Sequence, residues 1–423
     1  MEKKIFIFAI IVAVVGLLGS FYLTSFGQNW LGKNQTKNQT QAQPTNLENS
    51  EISQANETPA LNEQSTETKT EEIKKEEPKT EAKEEPKVEE KKPEPKPEPE
   101  PVREPSPPSY NRAFQWGVTM RPNAIGNYNS STWQAQIDKA KNLGTKLARI
   151  DWDRGSPNAF TRMGSIIDAL RSNGIEPLLV IDYNFNSPGS NVYQDGLNDG
   201  KNIGSAFKSK VDFYQMANEG GATSIRSGTL SGVNESDYNQ DKYYKVKEYI
   251  RGVSDGLAQS DPGSVRIVTI SWTHTGFLDK LAKDNISYDM IGIDWYSWMG
   301  SFGAKKINGN QTLFSKLKTF GKPLSFMEVA LLPGEDPNDS RKKTVVDEER
   351  QENFIVSHAD WAWNNRNWFK GFFAFELVDN INSPSEYIDY YGLVKASYNS
   401  TGVGVLGSER RVFGSLRNLI SGK

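Results

Sequence analysis

The chain has 423 residues, a formal net charge of −3 at pH 7 and a pI near 5.8. The positive and negative charges nearly cancel, and residues 110–423 contain no clustered stripe of Lys and Arg. Both observations argue against nucleic acid as a partner. The chain contains no cysteine and only two histidines, which excludes a disulfide framework, thiolate chemistry and a three-histidine zinc site. The sequence therefore predicts no metal or other cofactor.

The N-terminal segment is apolar and long enough to enter a membrane. Residues 5–23 form an almost unbroken apolar run behind Lys3 and Lys4, and at 1.5 Å per residue a helix of this length crosses a core of about 30 Å. Residues 1–30 are either a signal anchor or a signal peptide cleaved near residues 25–27. We favour the anchor because the run exceeds the ~7 to 15 residues usual for a signal-peptide core. The anchor predicts a domain held at the cell surface, and cleavage predicts a secreted one.

A polar, low-complexity segment follows at residues 31–109. It is first rich in Asn, Gln and Thr and then in Glu, Lys and Pro, as at residues 92–101. Almost nothing in it can be buried, so the entropy lost on ordering has no hydrophobic compensation. We predict a disordered stalk whose Pro-rich end favours extended polyproline II. Because Glu and Lys nearly balance, a spacer is favoured over a binding segment.

Residues 110–423 alternate short apolar runs with longer segments of helical period, which predicts a single (β/α)₈ barrel of the α/β class. We expect this domain to be monomeric. The predicted strands are 114–119, 146–151, 175–182, 212–217, 265–271, 289–294, 323–327 and 371–376. The predicted helices are 131–144, 159–174, 238–259, 275–284, 311–320, 346–365 and 408–420. The connection at 184–200 is rich in Asn, Gly, Ser and Pro, and leaves room for only a short helix.

Two carboxylates follow predicted strands of this barrel. Glu219 comes just after the fourth strand and Glu328 after the seventh. The reacting groups of such barrels lie at the C-terminal ends of the strands, and glycosidic bond cleavage requires a pair of carboxylates. For either residue alone, the alternative is a buried hydrogen-bonding role without catalysis. Their joint placement favours catalysis.

At these residues the sequence resembles the retaining β-glycosidases of the large clan of (β/α)₈ barrels, which includes family 5 cellulases and family 39 xylosidases. Those enzymes place Asn-Glu at the end of strand four and Glu at the end of strand seven. The resemblance implies that Glu219 is the general acid/base, that Glu328 is the nucleophile, and that Asn218 binds the sugar 2-hydroxyl. Arg149 matches the strand-two arginine that supports the nucleophile. Tyr296 matches the strand-six tyrosine that hydrogen-bonds it.

These roles require two different protonation states. Glu328 should stay ionised, because the Arg149 cation and the Tyr296 hydroxyl stabilise its charge. Glu219 should hold a proton, because a second carboxylate at the ~5 to 5.5 Å separation of a retaining site raises its pKa. The residues thus fit double displacement without reference to the resemblance.

Further polar and aromatic residues follow the predicted strands. Trp295 and Trp298 are candidates to stack on a pyranose, and Trp272 is either such a residue or part of the core. His274 can reach the barrel mouth from its position after strand five. Asp294 is either a ligand of substrate hydroxyls or a salt-bridge partner of the strand-two arginine.

The sequence departs from the clan pattern at two places. Gly220 stands where a proline often follows the acid/base, and strand eight has Phe373, Phe375 and Glu376 where a tryptophan usually lies under the reacting sugar. The strand-eight substitution bears on the substrate more than on the reaction, and both departures favour the non-catalytic alternative named below. The resemblance implies a retaining O-glycosidase acting on an extracellular polysaccharide or oligosaccharide. Two alternatives stay open, a non-catalytic surface glycan-binding protein on the same barrel and a transglycosidase.

Overall fold

The computed structural model describes residues 105–109, 112–122, 130–154, 158–228, 231–331, 346–380, 390–401 and 403–423. The predicted membrane segment and all of the stalk up to residue 104 lie outside these ranges. Among the helices within them, none is both long enough and apolar enough to span a bilayer.

Eight parallel strands close into a barrel in chain order, with β1 pairing to both β2 and β8, as the alternating pattern predicted. The strands are β1 (Gln115–Thr119), β2 (Leu147–Asp151), β3 (Glu176–Ile181), β4 (Phe213–Met216), β5 (Val265–Ser271), β6 (Met290–Tyr296), β7 (Leu324–Ala330) and β8 (Phe369–Ala374). The helices are α1 (Ser130–Leu143), α2 (Ala159–Ser172), α3 (Val192–Phe207), α4 (Gly220–Ser224), α5 (Gln240–Ser260), α6 (Thr275–Lys283), α7 (Leu313–Lys318), α8 (Glu348–Asn364) and α9 (Arg411–Ser421). Two 3₁₀ turns lie at Glu235–Asp237 and Ser297–Met299.

The apolar residues of the strands divide between two cores because successive side chains of a strand point to opposite faces. In β3, Leu178 and Val180 belong to the smaller cluster that fills the barrel interior. Leu179 and Ile181 belong to the larger cluster, which includes apolar residues of the surrounding helices. All four are buried. This continuous burial explains why the strands read as unbroken apolar runs in the sequence.

The connection after β3 differs from the prediction, because α3 is a full helix of 16 residues. Its glycines favoured at most a short helix, yet they are where α3 packs against α5. A Cβ placed on Gly196 would lie 2.3 Å from the Tyr249 carbonyl oxygen, and one on Gly256 would lie 2.5 Å from the Leu197 carbonyl oxygen. Glycine thus lets the two helix backbones approach closely. This packing outweighs the low helix propensity of glycine, about 1 kcal/mol per residue.

A β-hairpin that the sequence analysis did not predict follows the barrel. It consists of β9 (Val394–Tyr398) and β10 (Gly404–Glu409), which pair in antiparallel fashion. Arg410, at its end, forms two hydrogen bonds to the Asp379 carboxylate at 2.7 and 2.8 Å. Both side chains are buried. Asp379, one of the polar residues after β8, therefore connects the hairpin to the barrel.

Candidate active site

Glu328 lies in β7, where both of its carboxylate oxygens have strong donors. The Arg149 Nη2 atom, from β2, is 2.8 Å from Glu328 Oε1. The Tyr296 hydroxyl, at the end of β6, donates to Glu328 Oε2. Glu328 is only 4% exposed. A buried carboxylate with a cation and a phenol as partners is stabilised in its charged form.

An irregularity in β7 directs Glu328 into the barrel. The pairing of β7 with β6 shifts between Ile293 and Asp294, and its pairing with β8 shifts between Phe326 and Val329. Met327 belongs to the interior cluster, and Glu328, the next residue, also faces inward. Strict alternation would point it outward. Irregularities of this kind commonly redirect a side chain next to an active site.

Arg149 connects the nucleophile candidate to the end of β4. Its Nη2 atom also donates to Asn218 Oδ1 at 3.1 Å, and its Nε atom donates to Gln215 Oε1 at 2.9 Å. Gln215 in turn donates to Asn218 Oδ1 at 2.7 Å. The Asn218 backbone N–H donates to Asp182 Oδ1 at 3.2 Å. The structure thus brings Arg149, Asn218, Tyr296 and Glu328 together, and fixes Asn218 from both its side chain and its backbone.

Glu219 occupies the turn between β4 and α4. Its backbone is left-handed, with φ of 45° and ψ of 47°, and its N–H donates to Thr269 Oγ1 of β5 at 3.0 Å. The side chain is 6% exposed. Burial, and next the charge of Glu328, raise the pKa of Glu219 to about 8, although a hydrogen bond from Ser271 and the Arg149 cation oppose the rise. Glu219 therefore holds a proton near neutral pH.

Close packing explains the glycine that follows Glu219. A Cβ on Gly220 would lie 2.9 Å from side-chain atoms of both Phe277 and Val246. The turn after β4 is therefore pressed against α5 and α6, and a proline or any larger residue would require them to move. Close packing thus accounts for a glycine at this position.

Asp294 lies beside Glu328 in the pairing of β6 with β7 and is fully buried. Neither of its carboxyl oxygens has a hydrogen-bond partner among the described residues. Burial, followed by the charges of Glu328 and Glu219, raises the pKa of Asp294 well above its ordinary value. Arg149 pairs with Glu328 instead. Burial and the neighbouring charges therefore favour the neutral form of Asp294, next to the catalytic candidates.

The three tryptophans predicted to bind sugar differ in how far they are buried. Trp298 is 53% exposed, Trp272 is half-buried, and Trp295 is 0% exposed. The Trp295 indole N–H donates to the Gly300 carbonyl oxygen at 2.7 Å. Trp295 thus belongs to the core behind the site and offers no ring face to a sugar. Its neighbours Asp294 and Tyr296 face the site, as the two-residue period of a strand requires.

His274 is buried beneath the connection that follows β4. A Cβ on Gly221 or Gly232 would lie 3.0 or 2.2 Å from its side-chain atoms. Its Nδ1 atom has no hydrogen-bond partner within the described ranges. Burial lowers the pKa of His274 to about 4, so the imidazole is neutral near pH 7. The structure places His274 under this connection rather than at the open mouth.

One charged residue of the site was missed by the sequence analysis. Arg121 follows β1, and its Nε atom is 2.5 Å from Glu376 Oε2, while its Nη1 atom is 3.7 Å from Asp151. Its guanidinium also lies 5.3 Å from the centre of the Phe375 ring. Its charge acts on Glu328 as well. Its position in the sequence could have indicated its role, because Arg121 follows the end of β1 at Thr119 by two residues.

Comparison with known structures shows the fold. A family 1 β-glucosidase from Thermotoga maritima has a TM-score of 0.51 and 13% identity, covering 73% of this chain and 97% of that chain. A β-glycosidase, BGL167, has a TM-score of 0.54 and 12% identity, covering 74% and 97%. Neither protein-family models nor curated proteins match the chain. The likeness confirms the (β/α)₈ barrel that the alternating pattern of the sequence predicted.

Proposed function

We propose that the protein is a retaining O-glycosidase that hydrolyses an extracellular polysaccharide or oligosaccharide by double displacement. The observation that carries the proposal is the contrast between two buried carboxyl groups. Arg149 and Tyr296 hold Glu328 as an anion. Burial and the Glu328 charge keep a proton on Glu219. Paired carboxyl groups in these two states are what retaining glycoside cleavage requires.

In the first step, Glu328 attacks the anomeric carbon and forms a glycosyl ester. Glu219 gives its proton to the glycosidic oxygen, so the leaving sugar departs as an alcohol. Asn218 is held by Arg149 and Gln215, and its amide N–H can therefore point to the sugar hydroxyl next to the reacting carbon. A hydrogen bond there strengthens as the oxocarbenium-like transition state develops.

In the second step, water replaces the leaving sugar. Glu328 is now an ester and carries no charge, so the pKa of Glu219 falls and its carboxylate can take a proton from water. Water attacks the anomeric carbon, the ester bond breaks, and Glu328 recovers its charge. Two inversions at one carbon leave the original configuration.

The similar solved structures, described as β-glucosidases and a β-glycosidase, support this chemistry by sharing the barrel. The test is a screen of the full-length protein against aryl glycosides, followed by proton NMR of the first sugar released. We expect the anomer that has the substrate's configuration. An inverted anomer as first product would overturn the double displacement.

The same assay separates the two alternatives. Products longer than the substrate, formed when a second sugar is supplied as acceptor, would indicate a transglycosidase that uses the same two residues. Binding of a glycan without any turnover would indicate a non-catalytic glycan-binding protein. Hydrolysis to the free sugar is the outcome that the proposal expects.

We also propose that residues 1–30 anchor the protein in the membrane and that residues 31–109 separate the barrel from it. The proposal rests on the apolar run at 5–23 and on the polar composition that follows. Membrane fractionation of cells that express the full-length chain is the test, and activity should sediment with membranes. Active protein in the medium that lacks residues 1–30 would instead show a cleaved signal peptide.

A further inference from the structure

Two tryptophan rings form a stack on the β5/β6 side of the barrel mouth. Trp272 follows β5 directly, and Trp298 lies in the 3₁₀ turn after β6. Their ring centres are 5.0 Å apart with an interplanar angle of 28°. Trp272 also stacks with the buried Trp295, at 5.9 Å and 19°. The exposed Trp298 is therefore supported by a ring that is itself supported by the core.

A lysine lies on this stack. The Lys305 Nζ atom is 3.3 Å from the centre of the Trp272 ring. Within the part of the chain that the structure describes, no carboxylate forms an ion pair with Lys305, and burial alone accounts for its lowered pKa. The connecting segment at residues 297–312 contains Lys305 and Lys306 and no Asp or Glu. A partly desolvated ammonium group of this kind is a ready partner for an anion.

The two stacked rings follow closely in the chain after residues that contact the two catalytic candidates. Trp272 is adjacent in sequence to Ser271, whose hydroxyl hydrogen-bonds Glu219. Trp298 comes two residues after Tyr296, which hydrogen-bonds Glu328. Because Glu219 protonates the departing oxygen, a sugar held beside Ser271 is on the leaving-group side of the bond.

The opposite side of the mouth has a different charge arrangement. There the Arg121 guanidinium pairs with Glu376 and lies 3.7 Å from Asp151. Two carboxylates therefore compensate the cation on the β1/β8 side. Lys305, on the β5/β6 side, has the Trp272 ring as its contact. An anionic substituent on the substrate is thus favoured on the β5/β6 side.

We propose that Trp298, Trp272 and Lys305 form a subsite for a sugar that carries a carboxylate, a uronic acid, on the leaving-group side of the cleaved bond. This inference rests on the proposed glycosidase function and names the class of substrate. The apolar face of the pyranose stacks on the exposed Trp298 ring. Trp272 contacts both Trp298 and Lys305, so the carboxylate of the same sugar can reach the ammonium group.

The test measures binding rather than turnover. The full-length chain carrying Glu328→Gln keeps ligands intact, and saturation-transfer NMR yields dissociation constants for weak ligands. The probes are the methyl glycosides of glucuronic, galacturonic and mannuronic acid, each paired with its neutral parent sugar. We expect at least one uronide to bind about tenfold more tightly than its parent, as one charge-assisted contact allows.

Three further variants locate the preference. Lys305→Met should abolish the difference between the uronide and its neutral parent. Lys306→Met removes the same charge from the exposed neighbouring lysine and should leave the difference intact. Trp298→Ala should weaken binding of both members of the pair. Circular dichroism of each variant verifies that the barrel is folded.

The proposal is overturned if no uronide is preferred over its parent, or if the preference persists in Lys305→Met. Unchanged affinities in Trp298→Ala would equally overturn it. Failure of the proposed hydrolysis is a separate result, since it appears as absence of turnover by the wild-type protein in the aryl glycoside screen. The two conclusions can therefore fail independently.

Discussion

Glu219 and Glu328 are almost equally buried, at 6% and 4% exposure, but their surroundings differ. Glu328 receives a guanidinium on one oxygen and a phenol on the other. Among the groups that shift its pKa, Glu219 has a single side-chain donor, the Ser271 hydroxyl. Depth alone thus does not decide which carboxyl group holds the proton. The proposed roles, Glu328 as nucleophile and Glu219 as acid, rest on the different donors that accompany each group.

The backbone produces this difference. Glu328 lies inside a strand, where residues of the neighbouring strands meet it and where the β7 irregularity turns it inward. Glu219 lies beyond the end of β4 in a left-handed turn. A residue within a sheet has donors at fixed positions on both sides.

Removing the nucleophile should have the largest effect. Glu328→Gln keeps the shape of the side chain but cannot form the glycosyl ester, so kcat should fall by about 10⁴-fold or more. Steady-state hydrolysis of an aryl glycoside measures the loss. Glu349→Gln, on the exposed surface of α8, is the matched control and should keep full activity. Equal activity of Glu328→Gln and wild type would refute the nucleophile assignment.

Removing the acid should have an effect that depends on the leaving group. Glu219→Gln should reduce kcat/KM by about 10² to 10⁴-fold for sugar leaving groups, which need a proton, and far less for acidic phenols. A series of aryl glycosides with leaving groups of graded acidity measures this dependence. A uniform loss across the series would show that Glu219 is not the proton donor.

Weakening the contact that stabilises the nucleophile should have an intermediate effect. Tyr296→Phe removes one donor from Glu328 and leaves Arg149 in place, so we expect kcat to fall by about 10²-fold, as for the loss of one positioned donor in other active sites. Tyr288→Phe changes another buried tyrosine and is the control. An unchanged kcat in Tyr296→Phe would show that the Tyr296 hydroxyl does not contribute to catalysis.

The pH profile tests the protonated state of Glu219 directly. The acid form is active, so kcat/KM should fall as pH rises through the pKa of about 8. The Ser271 hydroxyl lowers this pKa, so Ser271→Ala should move the alkaline limb to higher pH. In Glu219→Gln the limb should vanish. If the alkaline fall of kcat/KM persists in Glu219→Gln, a group other than Glu219 causes it.

The smallest expected effect concerns stability. Burial and neighbouring charges raise the pKa of Asp294 in the folded protein, so its contribution to stability is full below its unfolded pKa and is lost as pH rises through the folded value. Asp294→Asn does not titrate, and its Tm relative to wild type should therefore increase from pH 4 to pH 8. Asp138→Asn, on the surface, should show no such trend. A pH-independent difference for Asp294→Asn would contradict the assignment of a neutral carboxyl.

The strands and the central residues could be predicted because local patterns determine them. Buried parallel strands read as apolar runs, and the residues after each run must meet at one end of the barrel. This is why Arg149, Asn218, Glu219, Tyr296 and Glu328 were named from sequence. The structure connects four of them through pairwise contacts, from Asn218 to Arg149, from Arg149 to Glu328 and from Glu328 to Tyr296.

Features that depend on tertiary contacts were not predicted. The glycines of α3 favoured only a short helix, whereas their packing against α5 supports a helix of 16 residues. The burial of Trp295 follows from strand alternation, because β6 continues past the predicted strand end at residue 294 to Tyr296. Arg121 was also not predicted, and its place in the site depends on contacts with Asp151 and Glu376 from other strands. Local propensity thus identifies the elements, whereas contacts between elements decide which side chains reach the site.

Trapping of the glycosyl-enzyme tests the assignment of the two carboxyl groups most directly. The sugar that the aryl glycoside screen identifies would be used as its 2-deoxy-2-fluoro derivative, which slows release of the intermediate. Intact mass and peptide mapping then locate the adduct. We expect intact mass to show one glycosyl group per chain and peptide mapping to locate it on Glu328. An adduct on Glu219 or Asp294, or turnover with inversion and no adduct, would contradict this assignment.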